Sequence, residues 1–172
     1  MSQSERTTPK DEDAYFKSSV LPGICDQLMK GAKEFGARML LFTAFGLVQG
    51  FRHGFRSNDY LFILCGSAIS FCGIVGVLRI SGKLVSGENP TNPIYGLFIS
   101  VLLGQLVPYI FLLYTLLYRG FYYLVLLFNS FHWARLLSCI FFIYCSLTAL
   151  KGLLAIQEAN KTLRKRFKKA VD

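Results

Sequence analysis

The chain has 172 residues, about one domain's worth. Some 53% of it is hydrophobic, with 16 Phe and 9 Tyr, and only 17% is charged; the mean hydropathy is +0.42. Those values exclude a disordered chain, which needs low hydrophobicity and high charge, and an ordinary soluble domain, which carries about 25% charged residues. The expected solvent is a lipid bilayer.

Residues 1–21 are polar and read as a flexible cytosolic N-terminus. Glu5, Asp11, Glu12 and Asp13 make this stretch too acidic for a mitochondrial presequence. The first apolar run begins near residue 39, too far along for a secretory signal. Between them, residues 22–38 carry a helical pattern. Pro22 can open a helix, and Ile24, Leu28, Ala32 and Phe35 then recur at helical spacing. Asp26, Lys30, Lys33, Glu34 and Arg38 fall mostly on other faces. The pattern predicts either a short amphipathic helix on the membrane surface or the polar start of one long first helix.

A four-span transmembrane domain is expected over 39–156. The first span covers roughly 35–51 and stops at Arg52, His53 and Arg56. The second covers 60–78 and closes at Arg79. A loop follows over 81–93, where Asn89-Pro90 and Asn92-Pro93 favour turns. The third covers 94–118, is interrupted by Pro108 and ends at Arg119-Gly120. Residues 121–135 are aromatic and then polar, which predicts an interfacial segment. The alternative is a single helix over 121–156 with Arg135 snorkelling or paired. The last span covers 136–156, and 157–172 form a basic cytosolic tail.

The net charge of +9 is concentrated at that tail, in Lys161, Arg164, Lys165, Arg166, Lys168 and Lys169. Such a block is a topology signal, because positive segments stay on the cytoplasmic side. It also attracts anionic lipid headgroups. No recognition motif accompanies it, so nucleic acid is not an expected partner. Lys30, Lys33 and Arg38 precede the first span, so both ends are expected in the cytosol and the number of spans is even. The Asn160-Lys161-Thr162 sequon is then silent.

Small residues recur every four positions in three successive spans: Gly46, Gly50 and Gly54; Ala68, Cys72 and Gly76; Gly96, Ser100 and Gly104. Residues four apart share a helix face. In lipid, helices associate through close backbone approach, which small residues permit. These faces are therefore the expected helix-packing surfaces, within the chain or between chains. The stretch Gln49-Gly50-Phe51-Arg52-His53-Gly54 resembles the four-span translocase family of the mitochondrial inner membrane. That likeness covers about ten residues and implies a translocase component; the later spans are richer in Phe and Leu than that family's.

Reactive chemistry is hard to find. All ten acids lie outside the expected spans. The five cysteines, Cys25, Cys65, Cys72, Cys139 and Cys145, form neither a disulfide framework nor a zinc motif. No nucleotide-binding fingerprint is present. No catalytic, cofactor or metal residue is expected. The expected role is non-enzymatic: a multi-pass protein, resident by default in the endoplasmic reticulum, that organises, assembles or helps traffic membrane components. Its partners would be membrane lipids and other membrane proteins or its own copies. A mitochondrial or peroxisomal membrane is the alternative location. A small channel or transporter subunit, lined by Gln49, Gln105 and Arg135, is the alternative function. An enzyme of lipid metabolism would have only His53, Asp59, His132 and Arg135 at its disposal.

Overall fold

Apolar residues at helical spacing dominate the chain, and helices are what form. The computed structural model describes residues 14–54, 58–86, 98–129 and 132–171. Within them there is no strand. Residues 1–13, Arg56, Gly96 and the two Asn-Pro steps lie outside the described residues, as do the side chains of Ser100, Lys168 and Lys169.

The first helix, α1, spans Leu21–His53. A wider-wound turn, Phe16–Val20, leads into it, and Pro22 occupies its first turn. The stretch 22–38 is thus the first half of one continuous helix. Its apolar stripe runs unbroken through both halves: Ile24, Leu28, Gly31, Phe35, Met39, Phe42, Gly46 and Gly50 are buried. The helix stops at Gly54, whose φ of 75° is open to glycine and strained for other residues.

Helix α2 spans Asn58–Val85. Its core face carries Ile63, Ser67, Ser70, Gly73, Ile74, Val77 and Ser81. The third rod, α3, covers 98–129 in four continuous segments. Phe98–Leu106 and Tyr114–Gly120 are π-wound; Val107–Leu113 and Phe121–Asn129 are α-helical. Pro108 sits just after the first change of winding. Having no N–H, it cannot donate the i→i−4 bond that a regular helix requires. Wider winding beside it is a common accommodation. Helix α4 spans Trp133–Val171, 39 residues.

The expected end at Arg119-Gly120 is corrected by the structure, because α3 runs on to Asn129. Arg119 does not stop the helix since its charge is met by Asp59, 2.7 Å away. Gly120 lets α4 approach: a Cβ there would lie 3.0 Å from Ile143. The expected segment 121–135 is likewise divided between two rods. Its first part continues α3, and Arg135 belongs to the first turn of α4.

Among the described residues, three helices are long and apolar enough to cross a membrane: Asp59–Val85, Leu102–Asn129 and Trp133–Arg166. Helix α1 is not among them. Its apolar run is short, lies between Arg38 and Arg52, and is diluted by Thr43 and Gln49.

The helices meet at aromatic and glycine contacts. Phe42 of α1 packs edge-on to Phe111 of α3, with ring centroids 5.5 Å apart, and stacks near Phe142 of α4 at 6.0 Å. Phe111 lies over Gly66 of α2, where a Cβ would come within 2.6 Å of the ring. Helices α1 and α4 approach most intimately where Gly31 faces Gly152. A Cβ on either glycine would lie 2.8 Å from the other's carbonyl oxygen. Gly31→Ala and Gly152→Ala should each destabilise the fold by about 1–3 kcal/mol, since rigid backbone must shift. Gly23→Ala meets nothing within 4 Å and should be neutral or slightly stabilising. Thermal unfolding in detergent, followed by circular dichroism, compares the three.

Candidate functional site

The nine small residues singled out in the sequence take different places. Gly46 and Gly50 are buried on α1. At Gly46 the backbone of Leu64 in α2 lies about as close as a Cβ can approach, 3.2 Å. Gly54 faces open space and makes the turn after α1. Gly76 of α2 lies beneath the side chain of Ile99 in α3. Gly104 of α3 is buried against Val77 of α2. Ala68 and Cys72 instead face outward, next to the exposed Leu61, Cys65, Ile69 and Val75. The closest approach of α2 to α3 falls on Gly73, one residue from that stripe, where a Cβ would run into the Leu103 carbonyl. Two further crossings were missed in the sequence, Gly31 with Gly152 and Gly66 with Phe111. Their signal was present: Gly31 lies on the apolar stripe of α1, where alanine would favour the helix by about 1 kcal/mol.

Hydroxyl pairs stitch the same helices together. Thr43 and Ser67 join α1 to α2 at 2.8 Å, and Thr115 and Ser146 join α3 to α4 at 2.7 Å. Ser81 of α2 lies 3.0 Å from the Asn160 amide oxygen of α4. Polar groups are inside, while Leu40, Val48, Leu106, Ile110, Leu117, Leu137, Ile140 and Leu154 are among many large apolar residues outside. Water would penalise that arrangement and lipid favours it.

At the tail end, α3 and α4 diverge around a cleft of about 490 Å³. Gln105 forms one wall; Gln157, Asn160, Lys161, Arg164 and Lys165 form the other. The five α4 residues are spaced three, four, seven and eight from the first, which places them on one helix face. Tyr109 donates to Gln157 Oε1 at 3.0 Å and fixes that side chain. Gln157 Nε2 is enclosed and donates to no acceptor among the described residues. Arg166 lies over the Phe16 ring, 5.3 Å from its centre, so the described ends of the chain adjoin.

At the opposite end, Arg119 Nη2 lies 2.7 Å from Asp59 Oδ2, at an angle short of a true hydrogen bond. Tyr114 donates to Asp59 Oδ1 at 3.4 Å and accepts from Arg119 Nε at 3.4 Å. Arg119 also lies over the rings of Tyr60 and Tyr118. Asp59 is thereby committed to an arginine. His53 stacks on Tyr60, His132 is exposed, and Arg135 donates to the Leu126 carbonyl at 3.3 Å. Cys139 and Cys145 are buried, whereas Cys25, Cys65 and Cys72 are exposed. No group of three His, Cys, Asp or Glu is arranged to hold a metal ion among the described residues.

Gln49, Gln105 and Arg135 are not brought together. Gln105 lies at the tail end, while Gln49 and Arg135 lie near the other. Phe35, Met39, Phe42, Phe111 and Phe142 fill the space between the helices and are fully buried.

Asp59→Asn should cost about 2 kcal/mol of stability. That is below the roughly 3–5 kcal/mol of a fully enclosed pair, because Asp59 is 47% exposed. Adding Arg119→Met should recover most of the loss, since no buried charge is then left alone. Melting temperatures of the two single variants and the double variant complete the cycle.

No protein-family model, no curated protein and no solved structure matches this chain, so nothing in these comparisons extends the likeness around Gln49–Gly54.

Proposed function

We propose that the chain is a non-enzymatic multi-pass membrane protein that organises or assembles membrane components through helix contacts. In this reading all four helices cross the bilayer and both ends lie on the cytosolic side. The observation that carries the functional part is the outward stripe of α2. Cys65, Ala68 and Cys72 remain exposed at helical spacing, whereas Gly31 and Gly46 of α1 and Gly104 of α3 are used inside the chain. A small-residue face left uncovered in lipid is a surface on which another helix can settle closely.

Two features support α1 as a fourth crossing. It exposes Leu40, Leu41, Leu47, Val48 and Phe51, an apolar surface at the depth of its neighbours. Phe16 and Arg166 adjoin, and two adjoining ends require an even number of crossings.

Tags at the two ends should be digested together, or protected together, in sealed vesicles. One protected and one digested tag means an odd number of crossings and defeats the topology. For the contact surface, bismaleimide should join two copies, or a copy and a partner, through Cys65 or Cys72. Ala68→Leu should reduce that product roughly tenfold, the effect of about 1.4 kcal/mol. Equal yield from Ala68→Leu and from the unaltered chain would remove α2 as the contact face.

A further inference from the structure

The cleft between α3 and α4 has a composition that the topology of the tail does not require. A cytosolic signal needs only positive charge on one side of the membrane. Here three cations share one helix face with two amide side chains, and Gln105 of α3 closes the opposite wall. No carboxylate is among the described residues that line it. Glu158, on the same stretch of α4, is turned to α1, where it accepts from Gln27 at 3.4 Å.

The amides make the cleft a receptor for acceptor atoms. Tyr109 holds Gln157 by its oxygen and leaves the enclosed Nε2 without an acceptor among the described residues. Asn160, 4% exposed, is held at its own oxygen by Ser81. Lysine ammoniums and an arginine guanidinium complete a set of donors suited to phosphate oxygens. The volume of about 490 Å³ is that of an ordinary small-molecule site.

One further feature decides between a lipid and a free anion. Towards the middle of the bundle the surface beside the cleft turns apolar. Leu106 follows Gln105 on α3, and Leu154 lies one turn before Gln157 on α4; both are exposed. A phosphate bound at Lys161 and Lys165 would have room beneath it for acyl chains against those leucines. We propose that this cleft binds an anionic phospholipid, with its phosphate among Gln157, Lys161, Arg164 and Lys165 and its chains along Leu106 and Leu154. The proposal rests on the membrane reading above.

The test uses the full chain in detergent, with bound lipid counted by native mass spectrometry. The probes are dioleoylphosphatidic acid, dioleoylphosphatidylcholine and inorganic phosphate. The chain should retain phosphatidic acid over phosphatidylcholine by about tenfold or more. The pair Lys161→Gln and Lys165→Gln should lower that preference by roughly tenfold to thirtyfold. Both side chains are exposed, so the fold should survive. Gln157→Met, with the tail charges intact, should also lower it. The pair Lys30→Gln and Lys33→Gln removes equal charge from exposed positions of α1 and should leave the preference unchanged.

Equal retention of the two lipids overturns the proposal. So does an equal loss from the Lys30 and Lys33 pair, which would mean diffuse surface attraction. Displacement of the lipid by inorganic phosphate at matching concentration overturns it in favour of a free anion. Release of the chain from membranes by alkaline carbonate would overturn this proposal and the membrane reading together. An integral chain without lipid preference overturns this one alone.

Discussion

The close approach of two backbones at Gly31 and Gly152 sets the spacing of everything else. Each glycine stands where a Cβ would press on the other's carbonyl oxygen. The two helices they join are the longest among the described residues, and their buried stripes run along each other above and below the crossing. Once α1 and α4 are that near, Phe42 reaches the rings of Phe141 and Phe142, and Arg38 reaches the ring of Tyr144. Helices α2 and α3 then close the other side with glycines of their own, Gly73 and Gly104. A residue of ordinary size at the first crossing would splay the pair and loosen the aromatic core behind it.

The bundle also reverses the usual distribution of polarity. Its interior holds hydroxyls, an amide and one arginine, and all of these except the Ser70 hydroxyl are placed against a group on another helix or on their own backbone. Its exterior carries leucine, isoleucine, valine and phenylalanine. In lipid there is no water to drive apolar faces together, so specificity comes from close packing and from polar pairs that would otherwise be stranded. Ser67, Thr115 and Ser146 act in this way: each is almost wholly enclosed, and each has a partner across a helix boundary.

Much of the architecture was legible because it depends on periodicity. The stripe of Ile24, Leu28 and Phe35 and the apolar runs of α2 and α4 all follow from spacing alone. What was not legible depends on pairing. Arg119 reads as a boundary until Asp59 is found beside it; the hint was only that opposite charges fell at the same end of neighbouring spans. Spacing itself misleads in α3. Residues four apart share a face in an α-helix, but they drift off it where the backbone closes i→i+5 bonds. Gly96, Ser100 and Gly104 were grouped on an α-helical assumption, and the described part of that stretch is π-wound. On α2 the inward face carries serines as well as glycine, so a search for the smallest residues picked the neighbouring stripe. The cleft was invisible for a different reason: Gln105 and Gln157 are 52 positions apart, and nothing local links them.

The length of α4 has a mechanical consequence. At 1.5 Å per residue its 39 residues extend about 58 Å, nearly twice the roughly 30 Å of a hydrocarbon layer. A bilayer that holds its apolar portion leaves the remainder standing clear, with the first half of α1 strapped alongside. Past the glycine crossing this extension is still braced by α2 and α3, through Ser81 to Asn160 and Tyr109 to Gln157. Any load applied to the basic tip would arrive among the embedded helices as a tilt, undiminished by a hinge.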